Sequence, residues 1–106
     1  MSYHYVFDAL GDRTRRLLLD QLGQGPASVA MLASGLPISR PAVSQHLKIL
    51  KEAGLVADEA VGARRVYRLN GDGLADLRAW LAGFEHLAVD DHAAEIQRQL
   101  DERKNT

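Results

Sequence analysis

Apolar residues recur every three or four positions along most of the chain, which is the spacing of an amphipathic α-helix. Glycine, proline and capping residues separate these stretches, ending one helix and starting the next. The predicted N-caps are Asp12 for the second helix, Ser28 for the third, and Ser39 or Arg40 for the fourth. The pattern predicts four helices, then a β-hairpin, then a long C-terminal helical region. The predicted elements are Tyr3–Leu10, Arg13–Leu22, Val29–Ser34, Arg40–Ala53, Val56–Glu59 and Arg64–Leu69, followed by helix from Asp72 onward. We expect an interruption of this last region at Val89–Asp91, after which Ile96 and Leu100 continue its apolar face. We therefore expect a mainly α fold with one small β-hairpin.

The fourth predicted helix lies within SRPAVSQHLKILKEAGL, residues 39–55. Its apolar residues form one stripe that we expect to be buried: Val43, Leu47 and Leu50. Pro41 falls in the first turn, where its missing N–H costs nothing, and Gly54 suits the left-handed backbone that ends many helices. The opposite face carries small polar and basic side chains: Ser44, Gln45 and Lys48.

The formal charge of the 106-residue chain is −1, but this charge is unevenly distributed. Residues 39–69 hold six basic and three acidic side chains, whereas residues 70–106 hold four basic and eight acidic ones. Positive charge is thus concentrated on the fourth helix and the hairpin, where a polyanion could bind. Chance clustering is the alternative explanation for the charge pattern taken alone.

Length and composition narrow the class of protein. A chain of this size with 46% hydrophobic and 25% charged residues is typical of one globular domain. The absence of cysteine excludes disulfides and thiolate metal sites. With no long apolar run and no secretory leader, we expect a cytoplasmic protein of a prokaryote. No nucleophile elbow or phosphate loop is present, so we expect neither an enzyme nor a cofactor.

Two short helices joined by a tight turn and followed by a basic hairpin have the plan of a winged helix-turn-helix. An α-helix fits the major groove of B-DNA, and its N-terminal residues approach base edges and phosphates first. Gln45 can present a donor and an acceptor to an adenine edge, and Ser39 suits a phosphate. The predicted contacts to double-stranded DNA are Ser39, Arg40, Ser44, Gln45, His46, Lys48 and Lys51 on the helix and Arg64 and Arg65 on the hairpin.

Each of these residues also has a purely structural explanation. Ser39 caps its helix with or without DNA. His46 lies beside the buried stripe and can hydrogen-bond locally, while Lys48 and Lys51 can belong to a solvated helix face. The hairpin arginines can be edge-strand charges that discourage aggregation. It is the combination of these features, in this order along the chain, that favours DNA binding.

Three segments, LGDRTRRLLLDQL, SRPAVSQHLKILKEAGLV and GARRVYRLN, closely resemble the ArsR/SmtB-type bacterial repressors. The resemblance extends from about residue 3 to about residue 85. It implies a homodimeric winged-helix repressor that binds inverted repeats and dimerises through its first and last helices. The implied organisation is a single domain, residues 1–106, with dimerisation helices at 1–11 and 72–104, the helix-turn-helix at 28–54 and the wing at 56–69.

The apolar residues of the two end helices support a dimer independently of the resemblance. A small domain uses one face of each helix for its own core, and the remaining apolar surface needs a second subunit to cover it. The alternative is that all of these residues pack within the monomer. The predicted dimer residues are Tyr3, Val6, Phe7, Leu74, Leu77, Trp80, Leu81 and Phe84.

Metal sensing, which the family name suggests, is not expected for this chain. Family sensors of arsenic, cadmium or lead carry cysteines in the third helix, whereas this chain has SVAMLASG there. Zinc sensors of the family pair two ligand sets on the last helix, and one set would fall on Ala79 and Leu81, which cannot ligate. The remaining candidates are His86, Asp90, Asp91, His92 and Glu95. The alternative function is a repressor relieved by a metal or another, unidentified effector bound at the C-terminal helices.

Overall fold

The computed structural model describes residues 3–86 and 92–104. The helices are α1 (Tyr3–Leu10), α2 (Arg13–Leu22), α3 (Val29–Ser34), α4 (Arg40–Glu52), α5 (Gly71–His86) and α6 (His92–Lys104), and the strands are β1 (Ala27–Ser28), β2 (Val56–Val61) and β3 (Arg64–Leu69). The chain divides into two compact units, Met1–Asp76 and Leu77–Thr106. The single domain expected from the sequence stays a prediction.

The core of the first unit is built around α4, which contacts α1, α2, α3 and β2. The predicted stripe of Val43, Leu47 and Leu50 is fully buried. The other buried apolar residues of this core are Val6, Ala9, Leu18, Leu22, Ala27, Leu32, Ala53, Leu55 and Val56. Each buried leucine contributes roughly 2 kcal/mol relative to an exposed one, so α4 is held with its polar face outward.

Side-chain caps start three helices at the predicted positions. Asp12, Ser28 and Ser39 each accept the backbone N–H three residues further on, at 3.0, 3.3 and 3.3 Å. Such caps satisfy amide groups that have no partner inside the helix. At the other end of α4, Gly54 adopts a φ of +77°, as predicted for the residue that ends this helix.

The wing is an antiparallel hairpin in which β2 pairs with β3 from Val56–Leu69 to Val61–Arg64. β2 continues two residues past the predicted end at Glu59, because the pairing persists up to the turn. Gly62 in that turn has a φ of +62°, a conformation that glycine adopts without strain.

A third strand, β1, adds to this sheet in the order β1–β3–β2. Its two residues pair with Tyr67 and Val66 of β3. β1 was not predicted from the sequence, because two residues are too few to show the alternation of apolar and polar positions that marks a strand. The strand attaches the start of α3 to the wing.

The first turn of α5 lies against the end of α4. Gly73 is buried, and a Cβ at this position would overlap the carbonyl oxygen of Gly54. The N–H of Asn70 donates to the carbonyl of Leu55 at 2.9 Å, which fixes the chain just before α5. Only glycine allows the two main chains to come this close.

The second unit contains the rest of α5 and all of α6. The rings of Trp80 and Phe84 pack together with centroids 4.7 Å apart. On α6, Glu95 interacts with Arg98 and Gln99 along one face of the helix. The predicted interruption at Val89–Asp91 lies outside the described residues. Within residues 3–86 and 92–104, no helix is both long and apolar enough to cross a lipid bilayer.

Candidate nucleic-acid interface

The N-terminal half of α4 presents a polar face to solvent. Because Val43 and Leu47 are buried, Ser44 and Gln45 between them point away from the core. The exposed residues of this face are Ser39, Arg40, Ser44, Gln45 and Lys48. Between Arg40 and Lys48 on α4, four of the nine predicted DNA contacts are therefore exposed, and a fifth, Ser39, is exposed at the N-cap of the helix.

His46 is placed differently, because it turns toward the start of α2. Its Nδ1 lies 3.8 Å from Asp12 Oδ2, and its side chain is only 26% exposed. Nδ1 is buried and has no hydrogen-bond partner among the described residues. The local hydrogen bond considered as an alternative is thus not formed at this atom, and a DNA contact by His46 stays a prediction.

The first turn of α2 favours the charged form of the Asp12 carboxyl. The hydrogen bond from the Arg15 N–H is the largest effect lowering the pKa of the Asp12 carboxyl, and the charge of Arg15 lowers it further against the opposing effect of desolvation. This carboxylate caps α2 and faces the imidazole of α4.

The wing brings two arginines next to the start of α4. Arg64 and Arg65 are exposed on β3, and together with Arg40 they line an open groove of about 640 Å³. The other side of this groove is formed by α3, including Met31, which is 59% exposed. The lining of the groove is otherwise mostly apolar, so these arginines supply the positive charge at its border, which favours anions such as phosphate.

Lys51 and Arg65 share one acidic partner, Asp58, which was not among the residues predicted from the sequence. Lys51 Nζ lies 2.7 Å from Asp58 Oδ1, and Arg65 Nη1 lies 2.9 Å from Asp58 Oδ2. The hydrogen bond from Lys51 is the largest effect lowering the pKa of Asp58, and the bond from Arg65 adds to it against the opposing effect of burial. The last turn of α4 and both strands of the wing therefore meet at one ionised carboxylate.

The residues predicted to form a dimer surface differ in how far they are exposed. Val6 is fully buried in the core of the first unit, so the expectation that it is exposed was wrong. The helical pattern identified an apolar face of α1 but could not show that α4 covers part of it. Leu74 and Leu77 are half-buried, and the side chain of Tyr3 lies outside the described part of the chain. The predicted residues that are exposed are Phe7, Trp80, Leu81 and Phe84.

Further large exposed apolar side chains were missed. Tyr5 is 66% exposed on α1, and Ile96 and Leu100 are exposed on α6. Ile96 and Leu100 were expected only to continue an apolar face and were not among the predicted dimer residues. Tyr5 carries no signal of its own, because a tyrosine on a short helix is equally compatible with core or surface.

The candidate metal ligands do not form a site in the part of the chain that is described. There, no three His, Asp or Glu side chains lie together as ligands would. The Glu95 carboxylate already interacts with Arg98 and Gln99. Asp90, Asp91 and the side chain of His92 lie outside the described residues, so the expectation for them stays a prediction.

Comparison with known proteins agrees with this geometry. The model of the arsR family of bacterial regulatory proteins matches residues 12–58. The HTH-type transcriptional regulator Rv2034 of Mycobacterium tuberculosis is 49% identical over 97 residues, covering 92% of this chain and 91% of the relative. The transcriptional repressor SdpR of Bacillus subtilis is 39% identical over 79 residues, covering 74% of this chain and 88% of the relative.

A solved structure extends the comparison to the fold. It is the solution structure of the homodimeric winged helix-turn-helix DNA-binding domain of a possible ArsR-family transcriptional regulator from Mycobacterium bovis. The match has a TM-score of 0.65 and 30% identity, covering 84% of this chain and 82% of that one. The winged helix-turn-helix fold class predicted from the sequence is confirmed. This chain belongs to the ArsR family of bacterial regulatory proteins, whose relatives here are transcriptional regulators.

Proposed function

We propose that the chain is a homodimeric transcriptional repressor that binds an inverted-repeat operator in double-stranded DNA. The observation that carries the proposal is the exposed polar face of α4 beside the arginine-lined groove of the wing. A helix with this face enters the major groove, and the wing arginines reach the adjacent phosphates. Such a protein works in the bacterial cytoplasm, where the chromosome lies.

The roles of individual residues follow from their positions. Gln45 and Ser44 read base edges from the middle of the exposed face. Ser39, Arg40 and Lys48 contact phosphates on either side of the groove, and Arg64 does so from the wing. Lys51 and Arg65 act close to the backbone while bound to Asp58. Two-fold symmetry places the two half-site centres about 34–36 Å apart, or a multiple of that distance.

The dimer is supported by the exposed apolar residues of α5 and by the homodimeric state of the Mycobacterium bovis domain. Trp80, Leu81 and Phe84 offer apolar surface that a second copy of the chain would cover. Relief of repression by a metal is not part of the proposal, because one of the two ligand sets of the family's zinc sensors would fall on Ala79 and Leu81, which cannot ligate a metal. Metal analysis of purified protein, with His92→Ala for comparison, tests that exclusion.

The experiment that tests DNA recognition starts from a random duplex library. The sequence retained by the protein after repeated selection defines a labelled duplex, whose affinity is compared with that of a scrambled duplex at about 0.15 M salt. We expect the protein to prefer the selected duplex by roughly a thousandfold. Gln45→Ala should relax this preference at particular base pairs. Equal affinity of the native protein for both duplexes would refute the proposal.

A further inference from the structure

A single carboxylate connects the recognition helix α4 to both strands of the wing. Each oxygen of Asp58 binds one cation, Lys51 from the last turn of α4 and Arg65 from β3. Asp58 itself belongs to β2. Three separate elements of the proposed DNA-binding surface are therefore fixed at one point.

The burial of the acidic partner distinguishes this cluster from an ordinary surface ion pair. The side chain of Asp58 is 6% exposed, whereas those of Lys51 and Arg65 are 55% and 54% exposed. An exposed pair contributes little because water solvates each charge well. A buried carboxylate has lost that solvation, so it depends on its two cations and holds them in defined positions. The cations keep about half of their surface available for a further partner.

The strand register explains why Asp58 reaches Arg65. Asp58 stands opposite Tyr67, and Arg65 lies two residues before Tyr67 on the same strand. Side chains two residues apart share a face of the sheet, so Asp58 and Arg65 are diagonal neighbours. Glu59, the next residue of β2, belongs to the other face and is exposed. Only one of these two adjacent acidic residues can thus join the wing to α4.

We propose that Asp58 is a positioning residue for specific DNA binding, which sets the wing relative to the recognition helix through Lys51 and Arg65. The inference rests on the proposed function. It assigns a role in DNA binding to a residue that the negatively charged phosphates of DNA would repel. Asp58 does not touch the nucleic acid in this arrangement. It fixes the spacing between side chains that contact bases and side chains that contact phosphates.

This role leads to an unusual expectation for the removal of a negative charge. Loss of an acidic group near a DNA-binding surface ordinarily strengthens binding to every sequence, because repulsion by the phosphates is reduced. If Asp58 positions the wing, Asp58→Asn should instead weaken binding to the selected duplex. Binding to a scrambled duplex needs no fixed geometry, so it should stay equal or increase.

The test compares Asp58→Asn with Glu59→Gln, which removes the same charge from the adjacent residue of the same strand. Affinities for the selected and the scrambled duplex are measured by fluorescence anisotropy over a range of salt concentrations. For Asp58→Asn the ratio of the two affinities should fall roughly tenfold. For Glu59→Gln the ratio should stay within about twofold of the native value, with both affinities unchanged or slightly higher. Circular dichroism at the assay temperature establishes that both variants are folded.

A second measurement asks whether Asp58 acts through its two cations. In a Lys51→Met and Arg65→Gln background, Asp58→Asn should cause no further loss of discrimination, because the groups that it positions are absent. Should Asp58→Asn alone fail to fold, Lys51→Met and Arg65→Gln are compared singly and together, and their losses of discrimination should overlap rather than add.

The outcomes separate this inference from the proposed function. If the native protein discriminates between duplexes but Asp58→Asn and Glu59→Gln behave alike, the inference is overturned and the repressor assignment stands. Additive losses for Lys51→Met and Arg65→Gln would overturn it as well. A native protein that does not discriminate would refute the repressor assignment, and the positioning role would fall with it.

Discussion

Gly73 at the start of α5 lies so close to Gly54 at the end of α4 that a Cβ on Gly73 would overlap the Gly54 carbonyl oxygen. The atoms that an added Cβ would meet are backbone atoms of Gly54 and Leu55, which cannot move aside as the end of a flexible side chain could. Gly73→Ala must therefore shift one of the two helices, and we expect it to reduce the free energy of unfolding by about 3 kcal/mol. Urea denaturation of native protein and variant measures this difference.

Gly71→Ala is the matched control for that substitution. Gly71 is two residues away on the same helix, is exposed, and has no neighbouring atom that an added Cβ would meet. Its free energy of unfolding should stay within about 0.5 kcal/mol of the native value. Equal losses for the two alanine variants would show that helix propensity, rather than the contact with Gly54, determines the effect.

The stability of the protein should depend on pH through Asp58. Its pKa in the folded protein lies below the ordinary value of 3.8, with the hydrogen bond from Lys51 as the largest cause. A carboxyl with a lowered pKa stabilises the fold fully at pH values above its unfolded pKa. That contribution is lost as the pH falls below about 3.8 and through the folded value, where the carboxylate takes up a proton.

Asparagine cannot take up a proton at this position, so comparison with the Asp58→Asn variant isolates the contribution of the Asp58 carboxylate to the pH dependence of stability. The native protein should be more stable than the variant near pH 7, and the difference in unfolding free energy should shrink as the pH falls below 4. Urea denaturation at several pH values between 7 and 3 gives the two curves. Parallel curves over the whole range would mean that Asp58 does not contribute to the acid sensitivity.

Local capping chemistry made much of the fold predictable. Asp12, Ser28 and Ser39 start their helices through hydrogen bonds to residues three positions away, so the sequence contains the whole interaction. The buried stripe of α4 and the left-handed Gly54 are equally local signals. These features explain why the bounds of the first four helices agree with the structure to within about one residue.

The features that were not predicted depend on contacts between distant parts of the chain. β1 exists because β3 passes beside it, and its two residues carry no pattern that would reveal this. The bonds of Asp58 to Lys51 and Arg65 require the hairpin register, which the predicted end of β2 at Glu59 left undefined. Val6 shows the same limit, since helical spacing identifies an apolar face but not the element that covers it.

Arg64 should contribute to DNA affinity without contributing to sequence preference. It is exposed at the start of β3 beside the groove that also contains Arg40. Arg64→Ala should weaken binding to selected and scrambled duplexes alike. The slope of log affinity against log salt concentration should decrease in magnitude by about 0.9, the value for one lost phosphate contact.

Arg13→Ala serves as the control because it removes the same charge from an exposed position on α2, outside the proposed interface. Its salt slope should stay close to the native slope. A change in slope that is the same for both variants would indicate a general effect of net charge. A selective loss of affinity for the selected duplex alone would reassign Arg64 to base recognition.

The exposed apolar cluster on α5 should determine the oligomeric state. Leu81 is 51% exposed and lies between Trp80 and Phe84 in the sequence, so Leu81→Asp places a charge within the surface that a second copy would cover. An unpaired charge buried in an apolar interface is costly, and we expect the dimer dissociation constant to rise at least roughly 30-fold. Sedimentation equilibrium measures the constant directly.

Val61→Asp provides the comparison, because Val61 is similarly exposed at 53% but belongs to the wing. It should leave the dissociation constant of the dimer unchanged. Loss of the dimer through Leu81→Asp should also weaken binding to an inverted repeat far more than binding to a single half-site, since two linked recognition helices bind with a higher effective concentration. A Leu81→Asp protein that sediments as the native dimer would remove α5 from the interface, leaving α1 as the surface to test next.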